Sequence, residues 1–220
     1  MLELKSLKKS YQQGSQDIEI FQSLNFQIEE GQSVSIMGKS GSGKSTLLSL
    51  ISGIIKPNKG EISLNSISYQ DLKESELNDF RATNIGFIFQ NFHLVSYLNA
   101  LENVMIPAKI CNIPRPKERA IELLESVGLG HRLDHLPSQL SGGEKQRVAI
   151  ARALIHNPKL ILADEPSGNL DEETGKAVMD MLFELIKKNN TTLILVTHSK
   201  DVASRCEKTY ELVLGNLTKC

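Results

Sequence analysis

The run Gly38, Lys39, Ser40, Gly41, Ser42, Gly43, Lys44, Ser45, Thr46 constrains the fold of this chain more than any other feature. It comes after an apolar stretch, Val34 to Met37, and precedes a helical pattern, Leu47 to Ser52, that Gly53 is placed to cap. A strand, a glycine-rich turn and a helix in that order gather successive backbone N–H groups at a helix N-terminus, where they converge on an anion. The spacing places Lys44 to reach the outer phosphates of a nucleotide and the Ser45 hydroxyl to ligate Mg²⁺. An α/β fold with a parallel sheet is expected.

The rest of the chain agrees. Apolar runs rich in β-branched residues alternate with helical patterns, which favours a sheet layered with helices. Phe26 and Ile28 alternate with polar neighbours, and a turn at Lys56 to Gly60 leads into Glu61 to Leu64, which predicts an antiparallel portion beside the main sheet. Val34 to Met37, Ile85 to Phe89, Leu160 to Ala163 and Leu193 to Val196 each read as a strand buried on both faces. The residues at their carboxyl ends are, in turn, the phosphate loop, Gln90, Asp164 with Glu165, and Thr197 with His198. Ligands of open α/β sheets sit at the carboxyl ends of strands, so these groups point to one shared site. Pro107, Pro114 and Pro116 punctuate a mostly helical stretch after Gln90, with an amphipathic pattern in Lys117 to Val127. That stretch reads as an inserted subdomain.

Two further motifs carry chemistry. Asp164 and Glu165 end a buried strand, where one carboxylate can hold a magnesium ion, directly or through water, while the other faces an attacking water. Asp164 is the metal candidate and Glu165 the general base. Ser141, Gly142 and Gly143 open a second amphipathic helix with a hydroxyl cap and two glycines, which makes a second anion cradle. One triphosphate already has its cradle, so this one holds another anion or completes the site of another copy.

The bulk numbers exclude several classes. With 220 residues, 40% of them hydrophobic, the chain can bury a full core within one domain. Lys and Arg number 25 against 26 Asp and Glu, so no global field draws it to nucleic acid. No apolar run approaches the length that crosses a bilayer, and a cytoplasmic protein is expected. Cys111, Cys206 and Cys220 lack the spacing of a zinc site or a disulfide scaffold and read as ordinary thiols.

LSGGEKQRVAIARAL, Leu140 to Leu154, resembles the signature of ABC ATPases, and the resemblance covers essentially the whole chain. It implies a P-loop NTPase core, residues 1–89 and 157–220, with an antiparallel β portion and a helical subdomain, 90–156, that carries the signature. By similarity Tyr11 stacks on adenine, Gln90 senses magnesium and the membrane partner, and His198 contacts the γ-phosphate. Ser141 and Gly143 reach the ATP of the opposing subunit, and Asp171 links the two sites of a homodimer. GFIFQNFHLVSYLNALENVMIPA and ADEPSGNLD resemble the lipoprotein-release and macrolide-export (MacB-like) type, and GLGHRLDHLPSQLSGGE and TTLILVTHS look most like the YbbA-like export ATPases. Lys39 within the loop and Ser199 after the histidine depart from the family pattern without removing a catalytic group.

The expected function is therefore an ATP-hydrolysing subunit, peripheral on the inner face of the plasma membrane, that powers export or extraction of a lipid, lipoprotein or drug-like substrate through a separate permease. The alternative is mechanical regulation of an extracytoplasmic protein without transport. DNA-repair ATPases with the same signature carry coiled-coil or zinc insertions, and this chain has neither the heptads nor the cysteine pairs. A small-molecule kinase would leave Leu140 to Leu154 unexplained.

Overall fold

The computed structural model describes residues 1–14 and 16–220, and Gln13 by its backbone alone. In chain order the elements are β1 (Leu2–Gln13), β2 (Gln16–Ile28), β3 (Ser33–Met37), α1 (Lys44–Ile51), β4 (Lys59–Leu64), β5 (Ile67–Ser68), α2 (Glu74–Asn84), β6 (Ile85–Phe89), α3 (Ala100–Ile110) and α4 (Pro116–Ser126). Then come α5 (Gly142–Leu154), β7 (Leu160–Asp164), α6 (Glu172–Lys188), β8 (Thr192–Val196), α7 (Lys200–Ala203), β9 (Lys208–Val213) and β10 (Asn216–Lys219). The chain packs as two compact units, Met1–Arg81 with Thr192–Cys220, and Ala82–Thr191.

In the first unit β2, β1, β4 and β5 form an antiparallel sheet in that order. Leu2 lies opposite Ile28 and Leu64, and Leu4 opposite Phe26 and Ile62. All six are buried, so alternation turns one face of the sheet inward. The ladder shifts register between Leu4 and Ser10. There Gly60 is required, because a Cβ at its position would stand 2.5 Å from the carbonyl oxygens of Lys5 and Ser6. In the same unit β3 pairs in parallel with both β8 and β9, and β10 closes antiparallel on β9. Strands β3 and β8 are buried along almost their whole length, which is why they read as continuous apolar runs. Ser35, fully buried in β3, stays satisfied by donating to the Ala203 carbonyl at 3.1 Å while its oxygen lies 2.9 Å from the Thr209 hydroxyl.

In the second unit β6 and β7 run parallel, from Ile85 opposite Leu160 to Phe89 opposite Asp164. Helices α3, α4 and α5 pack around Val104, Ala108, Ala120, Leu124, Val148 and Ile155, all buried. Each of the larger aliphatic side chains contributes roughly 1.5–3 kcal/mol by leaving water. Asn99 starts α3 with a reciprocal capping box to Glu102. The helix then continues through Pro107, which sits inside it and does not end it.

Three of the four runs expected to be buried on both faces are so. Strand β6 alternates buried and half-buried residues, because Phe87 and Phe89 line a cavity of about 300 Å³ together with Pro107, Ile110 and Cys111. Cys111, Cys206 and Cys220 are free thiols. No helix among the described residues is long and apolar enough to cross a membrane.

Candidate functional site

The glycine-rich loop leaves β3 at Met37 and enters α1 at Lys44. Gly43 is the N-cap residue, with φ 98° and ψ 10°, and a Cβ there would stand 2.7 Å from Ile20 Cγ2. Both the left-handed backbone and the contact call for glycine. At Gly38 a Cβ would stand 2.8 Å from the Leu212 carbonyl oxygen and 2.8 Å from Ser42 Oγ. Lys44 Nζ donates to the carbonyls of Gly38 at 2.8 Å and Lys39 at 2.9 Å, which folds the loop into a ring around its ammonium. Ser42 Oγ is buried in that ring without a hydrogen-bond partner. Lys39, Ser40, Gly41 and Ser45 are exposed, Thr46 half-buried, and the end of α1 is closed by Gly53, whose N–H reaches the Leu50 carbonyl at φ +69°.

The same unit delivers His198 beside the loop. Strands β3 and β8 are parallel with Ile36 opposite Val196, so Gly38 and His198 leave neighbouring strands at the same end. Thr197 donates its backbone N–H to the Ile36 carbonyl, and Ser199 caps α7 through the Val202 N–H. His198 is exposed. Tyr11, 42% exposed, lies on β1 opposite Ile18, with the Lys9 ammonium 4.9 Å from its ring centre.

The second unit collects the amide and the acids. Because Phe89 pairs with Asp164, Gln90 and Glu165 emerge from adjacent parallel strands at the same end. Glu165 takes φ 45°, and its carbonyl accepts from the Gly168 N–H at 2.9 Å. Gln90 Nε2 donates to Asn169 Oδ1 at 3.1 Å, and Asn169 Nδ2 donates to the Gln90 carbonyl at 3.1 Å and to Asn91 Oδ1 at 2.7 Å. The sequence pattern assigns Asn169 no role. Its only signal there is its place in the SGNLD run.

Ser141 caps α5 in a capping box: the Glu144 N–H donates to Ser141 Oγ at 3.2 Å, and the Ser141 N–H to Glu144 Oε2 at 2.8 Å. Arg132 reaches Glu144 at 3.0 Å. The Ser141 N–H and then the Arg132 charge hold the Glu144 carboxyl below its ordinary range. Gly142 and Gly143 have packing reasons of their own, since a Cβ on Gly143 would stand 2.4 Å from Thr174 Cγ2 and one on Gly142 3.2 Å from Leu170 Cδ2. Asp171 caps α6, accepting from the Thr174 N–H at 2.9 Å, which lowers its carboxyl pKa.

Residues 21–168 match the sequence profile described as ABC transporter. The chain is 46% identical over 216 residues to the lipoprotein-releasing system ATP-binding protein LolD of Treponema denticola, covering 97% of this chain and 96% of that one. It is 45% identical over 219 residues to the uncharacterized ABC transporter ATP-binding protein YbbA of Escherichia coli K12, covering 99% and 96%. The ATP-binding cassette MJ0796, solved as a dimer in a post-hydrolysis state bound to ADP and Pi, superposes with a TM-score of 0.92 at 41% identity, covering 100% of this chain and 98% of that one. With its phosphate loop, strand-end acids and capped signature helix, and with relatives this similar along its whole length, the chain belongs to the ABC transporter family as an ATPase subunit.

Proposed function

We propose that the chain binds Mg-ATP and hydrolyses it as a homodimer on the inner face of the plasma membrane, driving a separate integral-membrane permease that exports or extracts a lipid, lipoprotein or drug-like substrate. The observation that carries this reading is the loop ring around Lys44. Its orphaned, buried Ser42 hydroxyl and its open, exposed rim suit a phosphate oxygen. The similarity to LolD supports the export class.

In this reading Gly38 to Thr46 cradle the phosphates, Tyr11 stacks on adenine, and Lys44 and His198 offset charge on the transferred phosphoryl group. Glu165 orients or deprotonates the attacking water. Ser45, Gln90 and Asp164 would hold Mg²⁺, whose chemistry is to neutralise phosphate charge, and their hydroxyl, amide and carboxylate oxygens are the ligands this cation takes. Ser141, Gly142 and Gly143 of one copy address the nucleotide of the other, with Asp171 linking the two sites. In this reading residues 90–156 are the helical subdomain, and 1–89 with 157–220 the ATP-binding core.

The membrane partner docks near Gln90 to Ala108. That segment borders the cavity lined by Phe87, Phe89, Pro107 and Ile110, and large apolar side chains stand in water there, Tyr97 exposed at 79% and Ile110 at 63%. An apolar cavity with exposed apolar side chains nearby suits a protein partner. The test is capture of integral proteins from detergent-solubilised membranes by ATP-trapped Glu165→Gln protein. A co-purifying permease supports the reading. A partner with few helices and a large extracytoplasmic domain, with no cargo moved, would favour mechanical regulation. Tight duplex-DNA binding at physiological salt, with no integral partner, would overturn the assignment.

A further inference from the structure

One side chain joins the signature helix to the turn beyond Gln90. Arg152, in the last turn of α5, donates from Nη2 to the Phe92 carbonyl at 2.6 Å and from Nη1 to the His93 carbonyl at 2.5 Å. Both acceptors belong to residues in the left-handed region, Phe92 at φ 59° and His93 at φ 47°. Bulky residues hold that conformation only where their surroundings impose it. Within the turn the Phe92 N–H reaches the Phe89 carbonyl at 3.3 Å, the His93 N–H reaches the Asn91 carbonyl at 2.5 Å, and the His93 ring stands edge-on to Phe89 at 4.7 Å. A planar guanidinium offers two parallel N–H donors to two neighbouring carbonyls in one fixed plane; an ammonium can bridge two carbonyls, as Lys44 does, but it is a point donor on a flexible stem and sets no such plane. Beneath it, α5 sits tight on β6, where a Cβ on Gly86 would stand 2.3 Å from the Ala153 carbonyl oxygen.

We propose that Arg152 is a positioning residue of the ATPase cycle. It ties the Phe92–His93 turn to α5, so that movement of the helix capped by Ser141 is handed to the segment on which the membrane partner docks. The proposal rests on the reading that nucleotide acts at the Ser141 end and the partner at residues 90–108. Its mechanical basis is simple. Ser141 and Arg152 stand at opposite ends of one uninterrupted helix, which at 1.5 Å per residue spans roughly 16 Å as a rod. The flanks of the turn at its far end are fixed by the Asn169 amide donating to Asn91 Oδ1 at 2.7 Å and by the Val95 N–H donating to Asn103 Oδ1 at 2.8 Å, while the carbonyls of Phe92 and His93 between them are taken by Arg152.

The experiment is amide hydrogen exchange over residues 91–98 of Glu165→Gln protein, with and without Mg-ATP, read beside ATP affinity and dimer fraction. Mg-ATP is expected to slow exchange there by about tenfold, as local opening is suppressed. In Glu165→Gln/Arg152→Met the same amides exchange about tenfold faster without nucleotide and respond less than about twofold to Mg-ATP, while ATP affinity and dimer fraction stay within about twofold. Arg152→Lys keeps the volume and the charge but loses the fork, and decides the matter if the methionine variant does not fold. It should retain the melting temperature and lose most of the nucleotide response. A response that survives intact in either variant overturns the proposal, as does a parallel loss of ATP affinity. If the Arg152-containing protein binds ATP and dimerises yet residues 91–98 do not respond, the proposal fails while the functional reading stands. Failure to bind ATP at all would instead refute that reading.

Discussion

The Asn169 carboxamide holds Gln90 at two points, accepting from its Nε2 and donating to its carbonyl, each at 3.1 Å. Gln90 directly follows β6 and Asn169 comes after the Asp164–Glu165 pair, so this contact sets where the glutamine amide stands relative to the acids in the second unit. Each such bond contributes about 1 kcal/mol net.

Asn169→Ala should therefore leave nucleotide affinity within about twofold while lowering turnover by about tenfold, since the lost bonds position Gln90 and do not hold the phosphates. Steady-state hydrolysis beside equilibrium nucleotide binding checks this. An equal loss in both would show that Asn169 supports the phosphate site generally.

Gly143→Ala places a methyl 2.4 Å from Thr174 Cγ2. Overpacking of this kind costs about 1–3 kcal/mol, only partly offset by the better helix propensity of alanine. A melting temperature lower by about 2–8 °C is expected for a chain of this length. Adding Thr174→Ser removes the offending methyl and should restore most of the loss. If the double variant melts no higher than the single one, the contact is not the cause.

Much of this site was legible in the sequence, and the parts that were not share a physical reason. The phosphate loop, the strand ends at Asp164 and His198, and the hydroxyl cap at Ser141 are local patterns, written within a few residues; the reciprocal bond from Ser141 to Glu144 comes from the structure. The Gly53 cap and α4, expected as an amphipathic pattern over Lys117 to Val127 and found at Pro116–Ser126, arise from the same short-range rules. Arg152 is different. Its partner at Phe92 lies 60 residues away in the sequence, so no local pattern reveals it. Asn169 and Gln90 are separated by 79 residues, so no spacing reveals their pairing. Strand β6 read as fully buried because Phe87 and Phe89 are apolar, yet their pleat faces a cavity.

Glu144 gives a pH-dependent term. Its carboxyl is held below the ordinary value by the Ser141 N–H first and by Arg132 further down, so the folded state favours the carboxylate. A depressed folded pKa contributes stability that is complete above the unfolded value, about 4.3, and is lost as pH falls through the folded one. The melting-temperature gap between wild type and Glu144→Ala should be constant between about pH 7 and 5 and narrow below about pH 4.3. A gap that widens on acidification contradicts the assignment.

Cys206 is buried at 8% exposure, and desolvation pushes its thiol up to about 12. Cys220 is exposed. At about pH 8 an alkylating reagent should label Cys220 in the folded protein and reach Cys206 only after denaturant is added, because the thiolate is the nucleophile. Mass spectrometry of the labelled peptides reads this directly. Comparable labelling of both in the native state would mean that the strand region around Ser35 opens far more often than its burial allows.

In the proposed mechanism Glu165 is the base in a site completed by a second copy. The most direct test is to measure ATP turnover and the mass in solution of Glu165→Gln protein with and without Mg-ATP. The predicted result is a dimer that forms with Mg-ATP and disperses without it, with turnover lower by about 10² to 10⁴ fold, the scale expected for loss of a general base. Near-normal turnover, or a chain that binds ATP and stays monomeric, would contradict it.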